Sequence, residues 1–287
     1  MKIIVTGANG QLGNEMRVIS KRFSQHSYIF TDVAELDICN KEAVMAFFEE
    51  NKPDFVVNCA AYTAVTKAES DLEISRKINA EAVGILGEAT KCVGAKMIHV
   101  STDYVFDGLG HIPYTEEMNV CPQSVYGKTK LDGEIALQQS GAEYAILRTS
   151  WLYSSFGNNF VKTMIRLGQE KEKLTVIFDQ IGTPTYAADL AEAIMTIVNA
   201  ENFVGGVFHF SNEGVCSWYD FTKSIHKIYG ITSCKVLPLE TKDYPDSTPR
   251  PFYSVLNKAK IKSIYGLEIP HWEESLTRCI DVLKQEK

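Results

Sequence analysis

The feature that most constrains the fold is a glycine-rich loop at the start of the chain. Gly7, Gly10 and Gly13 form the pattern G-x-x-G-x-x-G, directly after the apolar run 3–6 and directly before a helical pattern. Glycines allow a tight turn and let backbone amides approach a pyrophosphate, and the helix N-terminus adds a favourable dipole. An ordinary tight turn between a strand and a helix would also use glycines. The position at the first such junction favours a nucleotide-binding loop.

Apolar runs alternate with helical patterns through the first half of the chain. The predicted strands are 3–6, 28–31, 55–58, 96–101 and 145–148, and the predicted helices are 13–23, 41–51, 72–93 and 126–139. Strands without polar alternation indicate a parallel sheet covered on both faces. The repeated strand–helix order therefore predicts an α/β fold with a doubly wound, Rossmann-like parallel sheet.

The second half of the chain is less regular. Its predicted helices are 159–169, 189–198, 218–229 and 272–284, with one strand at 207–210 and an irregular, proline-rich stretch around 238–251. We predict a dinucleotide-binding domain at 1–151, with segment 174–212 partly returning to it. Segments 152–173 and 213–287 are predicted to form a smaller, partly interlaced substrate-binding lobe. No internal repeat or flexible linker separates the two.

Composition narrows the class of protein. The 287 residues carry a formal net charge of -7, which disfavours a nucleic-acid partner. The seven scattered cysteines form no CxxC motif, so reduced thiols in the cytoplasm are expected rather than disulfides or a zinc site. No stretch approaches the roughly 20 apolar residues of a membrane span. Because a strand begins at once after Met1, we expect no signal peptide.

An acidic residue, Asp32, follows the second predicted strand. At this position a carboxylate can accept hydrogen bonds from a ribose 2′-hydroxyl and would repel a 2′-phosphate, which favours NADH. A plain turn-capping role is the alternative interpretation.

Three residues form a candidate catalytic group. Tyr126 and Lys130 are four residues apart in a predicted helix and so share one face. A neighbouring ammonium lowers the pKa of a phenol from about 10 towards the working range. Thr102 ends a predicted strand, at the sheet edge where active sites of α/β proteins form, and its hydroxyl can bind a carbonyl oxygen. Ser101 competes for that role, and a chance surface pair or simple strand capping would explain each residue alone.

With these residues in place, the chain resembles the extended short-chain dehydrogenase/reductases, and within them the dTDP-4-dehydrorhamnose reductase family. The resemblance runs nearly end to end. The matching stretches are 7–13 (GANGQLG), 58–63 (NCAAYT), 101–108 (STDYVFDG), 126–130 (YGKTK), 148–151 (RTSW), 158–160 (NNF), 179–185 (DQIGTPT), 250–251 (RP) and 254–257 (SVLN). The STDYVF, RTSW and DQ-x-G-x-PT elements are much more specific than the glycine loop.

The resemblance implies hydride transfer from NADPH or NADH to C4 of dTDP-4-dehydro-β-L-rhamnose, the last step in making dTDP-L-rhamnose. It implies that Tyr126 protonates the alkoxide, Lys130 supports Tyr126 and holds the nicotinamide ribose, and Thr102 orients the carbonyl. The cofactor residues that it implies are Gly7, Gly10, Gln11, Leu12, Gly13, Asp37, Ile38, Ala60, Ala61 and Tyr62. The substrate residues that it implies beside Thr102 and Tyr126 are Asp103, Trp151 and Arg250. Trp151 would offer a flat face to the sugar unless it packs in the core. Arg250 would pair with the diphosphate unless it forms a surface salt bridge.

Two positions depart from the family pattern. Thr66 stands where relatives usually have an aspartate, in the stretch VTKAE. Some relatives hold a magnesium ion near a dimer contact. Glu15 is present here, but Ala188 occupies a position where a ligand is expected. We therefore expect no bound metal, and a homodimer is compatible with the superfamily.

Two other classes of function fit the same residues. A reductase of another nucleotide sugar, or an epimerase, would share the fold and the tyrosine–lysine pair, since fold does not determine function. A non-catalytic NAD(P)-binding regulatory subunit would share the fold, but retention of all three catalytic-type residues argues against it.

Overall fold

The computed structural model describes residues 1–246 and 248–285. The strands are β1 (Lys2–Thr6), β2 (Ser27–Thr31), β3 (Phe55–Asn58), β4 (Lys96–Thr102), β5 (Glu143–Thr149), β6 (Leu152–Tyr153), β7 (Lys173–Ile177), β8 (Ile181–Gly182), β9 (Thr185–Tyr186), β10 (Gly206–His209), β11 (Cys216–Ser217) and β12 (Lys235–Leu239). The helices are α1 (Gln11–Ser20), α2 (Lys41–Asn51), α3 (Val65–Ala68), α4 (Leu72–Arg76), α5 (Ala82–Cys92), α6 (Val125–Ser140), α7 (Phe160–Glu170), α8 (Ala187–Val198), α9 (Trp218–Tyr229), α10 (Ala259–Tyr265) and α11 (Trp272–Gln285).

A six-stranded parallel sheet forms the centre of the larger domain. Its order is β10-β5-β4-β3-β1-β2, with every neighbouring pair parallel. The predicted doubly wound α/β fold is confirmed. The chain leaves β1 for β2 on one side and returns to β3 on the other, so the strand order reverses at β1. In open α/β sheets this reversal opens a crevice at the carboxyl ends of the strands.

Apolar residues on both faces of the sheet explain why its strands lack polar alternation. Ile3 and Val5 join a core with Met16 of α1, whereas Ile4 joins a second core with Phe48 of α2. All five are fully buried. Burying each such side chain stabilises the fold by about 1.5–3 kcal/mol. Helices α1 and α8 cover the first face, and α2 and α5 cover the second.

The predicted helix 72–93 is interrupted in the structure. Between α4 and α5 lies a π-helical turn, Lys77–Glu81. Within it, the amide of Asn79 accepts from the backbone N–H of Tyr62 (2.8 Å) and donates to the Tyr62 carbonyl (3.1 Å). A Cβ on Gly133 of α6 would lie 2.0 Å from the Asn79 carbonyl oxygen. The wider turn thus brings a polar residue inward, which a helical apolar pattern does not predict.

The smaller lobe has its own apolar core. Tyr153, Phe221, Trp272 and Leu276 are buried there, between α7, α9 and α11. Strands β7 and β12 pair in parallel in this lobe, and neither was predicted.

Segment 174–212 divides between the two parts of the molecule. Strand β10 completes the central sheet and α8 packs against α1, on the side of the larger domain. Strand β7 instead pairs with β12 in the smaller lobe, because its buried residues Leu174 and Val176 belong to that core. The exchange of segments couples the two parts.

Two further expectations concern the whole chain. The seven cysteines are free thiols. Among residues 1–246 and 248–285, no helix combines the length and apolar character needed to cross a bilayer.

Candidate active site

A groove of about 300 Å³ opens at the crevice where the strand order reverses. Gly7 begins the turn after β1 with a φ of 63°, and a Cβ there would lie 2.6 Å from the backbone nitrogen of Ala60. A Cβ on Gly13 would lie 2.4 Å from the Gly7 carbonyl oxygen. Glycine is therefore required at both positions, for close approach of the loop to β3 and of α1 to the loop. The residues that line the groove are Gly7, Gly10, Asp32, Val33, Leu36, Asp37, Ile38, Cys39, Cys59, Ala60, Ala61 and Ile78.

The acidic residues of the groove also shape its wall. The carboxylate of Asp32 accepts from the backbone N–H groups of Asn9 (2.9 Å) and Val33 (2.8 Å). Asp37 accepts from the backbone N–H of Cys39 (2.9 Å). Asp32 thus caps a turn and faces the groove, so the two interpretations of this residue are compatible.

The remaining predicted cofactor residues lie beside the groove or away from it. Gln11, Leu12 and Gly13 form the first turn of α1, whose N-cap is Gly10. Tyr62 does not line the groove. Its hydroxyl donates to Asp71 (2.8 Å), and its backbone is held by Asn79.

The predicted catalytic residues meet where α6 crosses the carboxyl end of β4. Ser124 caps α6 by accepting from the Gly127 N–H (3.1 Å), so Tyr126 and Lys130 fall in its first two turns. A Cβ on Gly127 would lie 2.3 Å from the Tyr104 carbonyl oxygen, which shows how closely α6 approaches the end of β4. The Tyr104 ring packs edge-to-face on Tyr126, with centroids 5.4 Å apart.

Burial determines the resting protonation of Tyr126. Removal from water raises its pKa above that of a free phenol, while a hydrogen bond with Thr102 partly offsets this rise. The nearby Asp103 raises it further. The expected lowering of this pKa by the ammonium of Lys130 is therefore wrong for the resting protein, because burial dominates, and Tyr126 is a protonated phenol at neutral pH.

Lys130 is a buried cation with an unusually low pKa. Its Nζ donates to the Val100 carbonyl (2.7 Å), two residues before Thr102 on β4. Burial lowers the pKa of Lys130 to about 8, and the carboxylate of Glu134 opposes this effect. Glu134 itself pairs with Arg148 of β5 (2.7 Å), so the negative charge is shared.

Two hydrogen bonds, one to a side chain and one from the backbone, orient the hydroxyl of Thr102. It donates to Asp103 Oδ1 (3.0 Å) and accepts from the Tyr104 N–H (3.2 Å). Neighbouring residues of a strand point to opposite faces, so Ser101 and Thr102 cannot both face Tyr126. Thr102 is the one that affects the pKa of Tyr126. Burial raises the pKa of Asp103 to about 7, although the Thr102 hydrogen bond lowers it.

Two cavities lie on the side of the smaller lobe, and the first reaches Tyr104 and Ser124, which contact Tyr126 and cap its helix. One, of about 440 Å³, is lined by Tyr104, Phe106, Asp107, Leu109, Gln123, Ser124, Thr241, Lys242, Tyr244, Asp246, Thr248, Pro249, Arg250, Pro251 and Phe252. The other, of about 370 Å³, is lined by Phe160, Met164, Thr175, Val176, Ile177, Gln180, Trp218, Tyr244 and Arg250. Tyr244 and Arg250 belong to both, so Arg250 lies at the boundary between the cavities.

Arg250 is held by two neighbours. Its Nη2 donates to Asp246 Oδ2 (2.9 Å) and to Thr66 Oγ1 (3.3 Å). Thr66 in turn donates to the same Asp246 oxygen (2.9 Å). Hydrogen bonds from Thr248 and Arg250 hold the pKa of Asp246 well below its usual range. Arg250 therefore forms an ion pair and faces a cavity at the same time.

Trp151 lies behind the second cavity. Its ring stacks on Trp218 with centroids 3.5 Å apart, and a Cβ on Gly182 would lie 2.6 Å from it. Trp218, not Trp151, lines the cavity. Four residues that line the cavities were not predicted from the sequence: Trp218, Tyr104, Tyr244 and Asp246. Tyr104 lies inside the STDYVF element and could have been found there, whereas the other three lie outside the quoted motifs.

The residues considered for magnesium lie elsewhere. Glu15 accepts from the Ser154 hydroxyl (2.5 Å) and lines a cavity with Ala188 and Arg278. The guanidinium of Arg278 donates to Asp189 (2.5 Å). The part of the chain described by the structure has no group of three or more potential metal-ligating side chains.

Known proteins resemble the chain over its whole length. Residues 1–285 match the family described as RmlD substrate binding domain. A dTDP-4-dehydrorhamnose reductase of Burkholderia thailandensis is 39% identical over 99% of this chain and 100% of its own. The crystal structure of a dTDP-4-dehydrorhamnose reductase from Clostridium acetobutylicum has a TM-score of 0.95 and 46% identity, covering 99% of this chain and 100% of that one. The Bacillus anthracis enzyme of that name, solved in complex with NADP, has a TM-score of 0.93 and 39% identity, covering 98% and 99%. The chain therefore belongs to the RmlD substrate binding domain family, together with the dTDP-4-dehydrorhamnose reductases.

Proposed function

We propose that this protein reduces the C4 ketone of dTDP-4-dehydro-β-L-rhamnose to dTDP-L-rhamnose, with NAD(P)H as the hydride donor. The observation that carries the proposal is the meeting of Tyr126 and Lys130 of α6 with the carboxyl end of β4, where Lys130 Nζ donates to the Val100 carbonyl and Thr102 acts on the pKa of Tyr126. The whole-length similarity to dTDP-4-dehydrorhamnose reductases supports the substrate class.

The groove fits a dinucleotide by its shape. Glycine at positions 7 and 13 lets the loop pack against β3 and α1 pack against the loop, so that Gly10 at the N-terminus of α1 lines the groove together with Ala60 and Ala61 at the end of β3. In this proposal, Asp37 and Ile38 contact the adenine of the bound cofactor. A bound nicotinamide cofactor supplies the hydride. The relative solved with NADP supports NADPH, whereas the carboxylate of Asp32 favours NADH, and both cofactors belong to the proposal.

The chain's own residues handle the proton. Thr102 donates a hydrogen bond to the ketone oxygen in place of its bond to Asp103, which positions that oxygen beside the phenol of Tyr126. As negative charge develops on the oxygen, Tyr126 gives up its proton. The ammonium form of Lys130 then balances the phenolate and binds the ribose hydroxyls. Removing these groups from water strengthens each of the interactions.

The sugar nucleotide occupies the two cavities in this proposal. Arg250, at their boundary, exchanges its bond with Asp246 for the substrate diphosphate. Asp103 lies at the sugar, and Trp151 supports the sugar site through Trp218.

The experiment is an absorbance assay of NAD(P)H oxidation with dTDP-4-dehydrorhamnose. Consumption of cofactor and appearance of dTDP-L-rhamnose are expected. Lys130→Met should lower both turnover and cofactor affinity, because we assign Lys130 a ribose contact. Unchanged cofactor affinity in Lys130→Met would remove that second role.

Other outcomes point to the alternative functions. Stoichiometric NAD retained through purification, with no net cofactor consumption, would favour an epimerase. A stable protein partner, together with unaltered function in Tyr126→Phe, would indicate a regulatory subunit. The proposed site is built from one chain, and the expected homodimer is tested separately by sedimentation.

A further inference from the structure

A chain of buried polar side chains lies beneath Lys130. His99 Nε2 lies 3.4 Å from Lys130 Nζ, and His99 Nδ1 lies 3.0 Å from Asn58 Nδ2. Thr6 Oγ1 donates to Asn58 Oδ1 (2.6 Å). Thr6, Asn58 and His99 are fully buried, on the neighbouring strands β1, β3 and β4. The catalytic roles proposed above do not use them.

A backbone group determines which way the amide of Asn58 points. Asn58 Oδ1 lies 3.1 Å from the backbone nitrogen of Ala60, and a backbone N–H can only donate. The oxygen of the amide must therefore face Ala60. The NH₂ group of Asn58 then faces His99, since it is the other end of the same planar group.

The amide of Asn58 in turn selects the tautomer of His99. An NH₂ group that donates to Nδ1 requires a lone pair on that nitrogen. Burial holds the pKa of His99 well below its usual range, and the charge of Lys130 acts in the same direction, so the ring is neutral. A neutral imidazole with a bare Nδ1 carries its proton on Nε2. The Nε2–H group therefore points towards Lys130 Nζ.

The groups around Lys130 thus favour different protonation states of its amine. The Val100 carbonyl accepts a hydrogen bond from its Nζ on one side, and the Nε2–H group of His99 faces Nζ as a donor on the other. A neutral amine has a lone pair that can accept from Nε2–H, whereas an ammonium has none. The charged group that favours the ammonium is Glu134, one turn along α6, and Glu134 is already paired with Arg148.

We propose that His99, locked as its Nε2–H tautomer by Asn58 and the Ala60 backbone, is a positioning residue that holds Lys130 and favours its neutral amine. The proposal rests on the proposed function, because it makes His99 lower the pH above which Lys130 can no longer supply the ammonium that reduction needs. Loss of the Lys130 proton near pH 8 then sets the upper pH limit of turnover, since the phenolate left on Tyr126 needs the ammonium as its counter-charge.

The first test measures the tautomer directly and needs no activity. Two-bond ¹H–¹⁵N spectra of the wild-type protein distinguish a protonated from a bare ring nitrogen, and His99→Gln identifies which signals belong to His99. A bare Nδ1 and a protonated Nε2 are expected. A bare Nε2, or a protonated ring, would overturn the proposal.

The second test reverses the direction of the hydrogen bonds from Asn58 through His99 to Lys130 by an isosteric substitution. In Asn58→Asp, a carboxylate faces Nδ1, which must then carry the proton, and the bare Nε2 can accept from the Lys130 ammonium. Wild-type kcat should fall as pH rises through about 8. In Asn58→Asp this fall should move upward by about one pH unit.

His99→Gln is the matched control, because its amide can accept from Asn58 and still present N–H to Lys130. The fall in kcat should stay at the wild-type pH in this variant. If the fall moves in Asn58→Asp while His99 keeps its Nε2–H tautomer, simple charge attraction explains the shift and the proposal fails. Absence of any turnover, with the expected wild-type tautomer, would instead count against the proposed function alone.

Discussion

The nucleotide groove and the substrate cavities are built in different ways. The groove is lined by short stretches that follow β1, β2 and β3, and its shape depends on glycine, alanine and backbone groups. The cavities are lined by long polar and aromatic side chains from segments as distant as Tyr104, Trp218 and Arg250. Parallel strands carry the first set to one sheet edge automatically. The second set meets only because the smaller lobe folds against the larger domain.

This difference has a consequence for substitutions. In the groove, an added methyl group meets backbone atoms that cannot move aside. In the cavities, side chains are exchanged among hydrogen-bond partners, as Arg250 shows with Asp246 and Thr66. A substitution in the groove should therefore weaken only the binding of the cofactor. A substitution in the cavities should weaken only the binding of the substrate. Four substitutions test that separation.

The largest effect is expected at the junction of the two regions. Tyr126→Phe removes the proton donor and should lower kcat by about a thousandfold. Cofactor affinity, measured by NAD(P)H fluorescence, should stay close to the wild-type value. Tyr153→Phe is the control, because the Tyr153 hydroxyl is buried with no hydrogen-bond partner among the described residues. A similar loss of kcat in both variants would assign the effect to packing.

In the cavities, Arg250→Ala should raise the substrate KM by about tenfold to a hundredfold, since a charge-assisted contact with the diphosphate is lost. The cofactor Kd should not change. Arg166→Ala is the matched control, because Arg166 also pairs with an acidic residue four positions away, Glu170, but on an exposed helix surface. An unchanged KM in Arg250→Ala would remove Arg250 from the substrate site.

In the groove, Gly7→Ala should weaken cofactor binding by at least about tenfold, because the new Cβ would lie 2.6 Å from the Ala60 nitrogen. Gly94→Ala is a close match: Gly94 has a φ of 69° against 63° for Gly7, and no atom lies within 4 Å of its added Cβ. Both variants place an alanine in the left-handed region, which lowers the free energy of unfolding, and thermal unfolding measures this loss. Equal cofactor affinity in the two variants would contradict the close-approach explanation.

The smallest effect is expected at Thr66, which stands where the family usually has an aspartate. Thr66→Asp restores the carboxylate usual in the family but places it against Asp246, so the segment around Arg250 should loosen and the substrate KM rise about threefold. Thr66→Ser keeps the hydroxyl and should behave like the wild type. Adding Asp246→Asn to Thr66→Asp should restore KM. Failure of that double variant to recover would mean that the two side chains act independently.

The sequence predicted the parts of the molecule that depend on local order. The ends of α2 and α9 agree with the predicted helices 41–51 and 218–229, since capping side chains and a regular apolar face define both. The parallel sheet followed from its apolar strands. Strands β7 and β12 escaped prediction because neither is a continuous buried run like β3: exposed residues alternate with buried ones in β7, and β12 contains Pro238.

In the candidate site, too, local arrangements could be predicted and contacts between distant segments could not. Tyr126 and Lys130 share a helix face, so their neighbourhood could be predicted from spacing alone. The stacking of Trp151 on Trp218 could not, because the two residues come from different segments of the smaller lobe. The tautomer of His99 depends on a backbone N–H across two strands, and no spacing in the chain encodes it.

The order of residues by itself determined the nucleotide loop, the alternation of strands and helices, and the pairing of a phenol with an amine on one helix. Each of these depends on interactions within a few residues of chain. Only the tertiary structure decided which side chains line the cavities, how Arg250 is held and which proton faces Lys130. These arrangements arise from packing between distant segments, where burial and fixed backbone groups determine the partners of each polar atom.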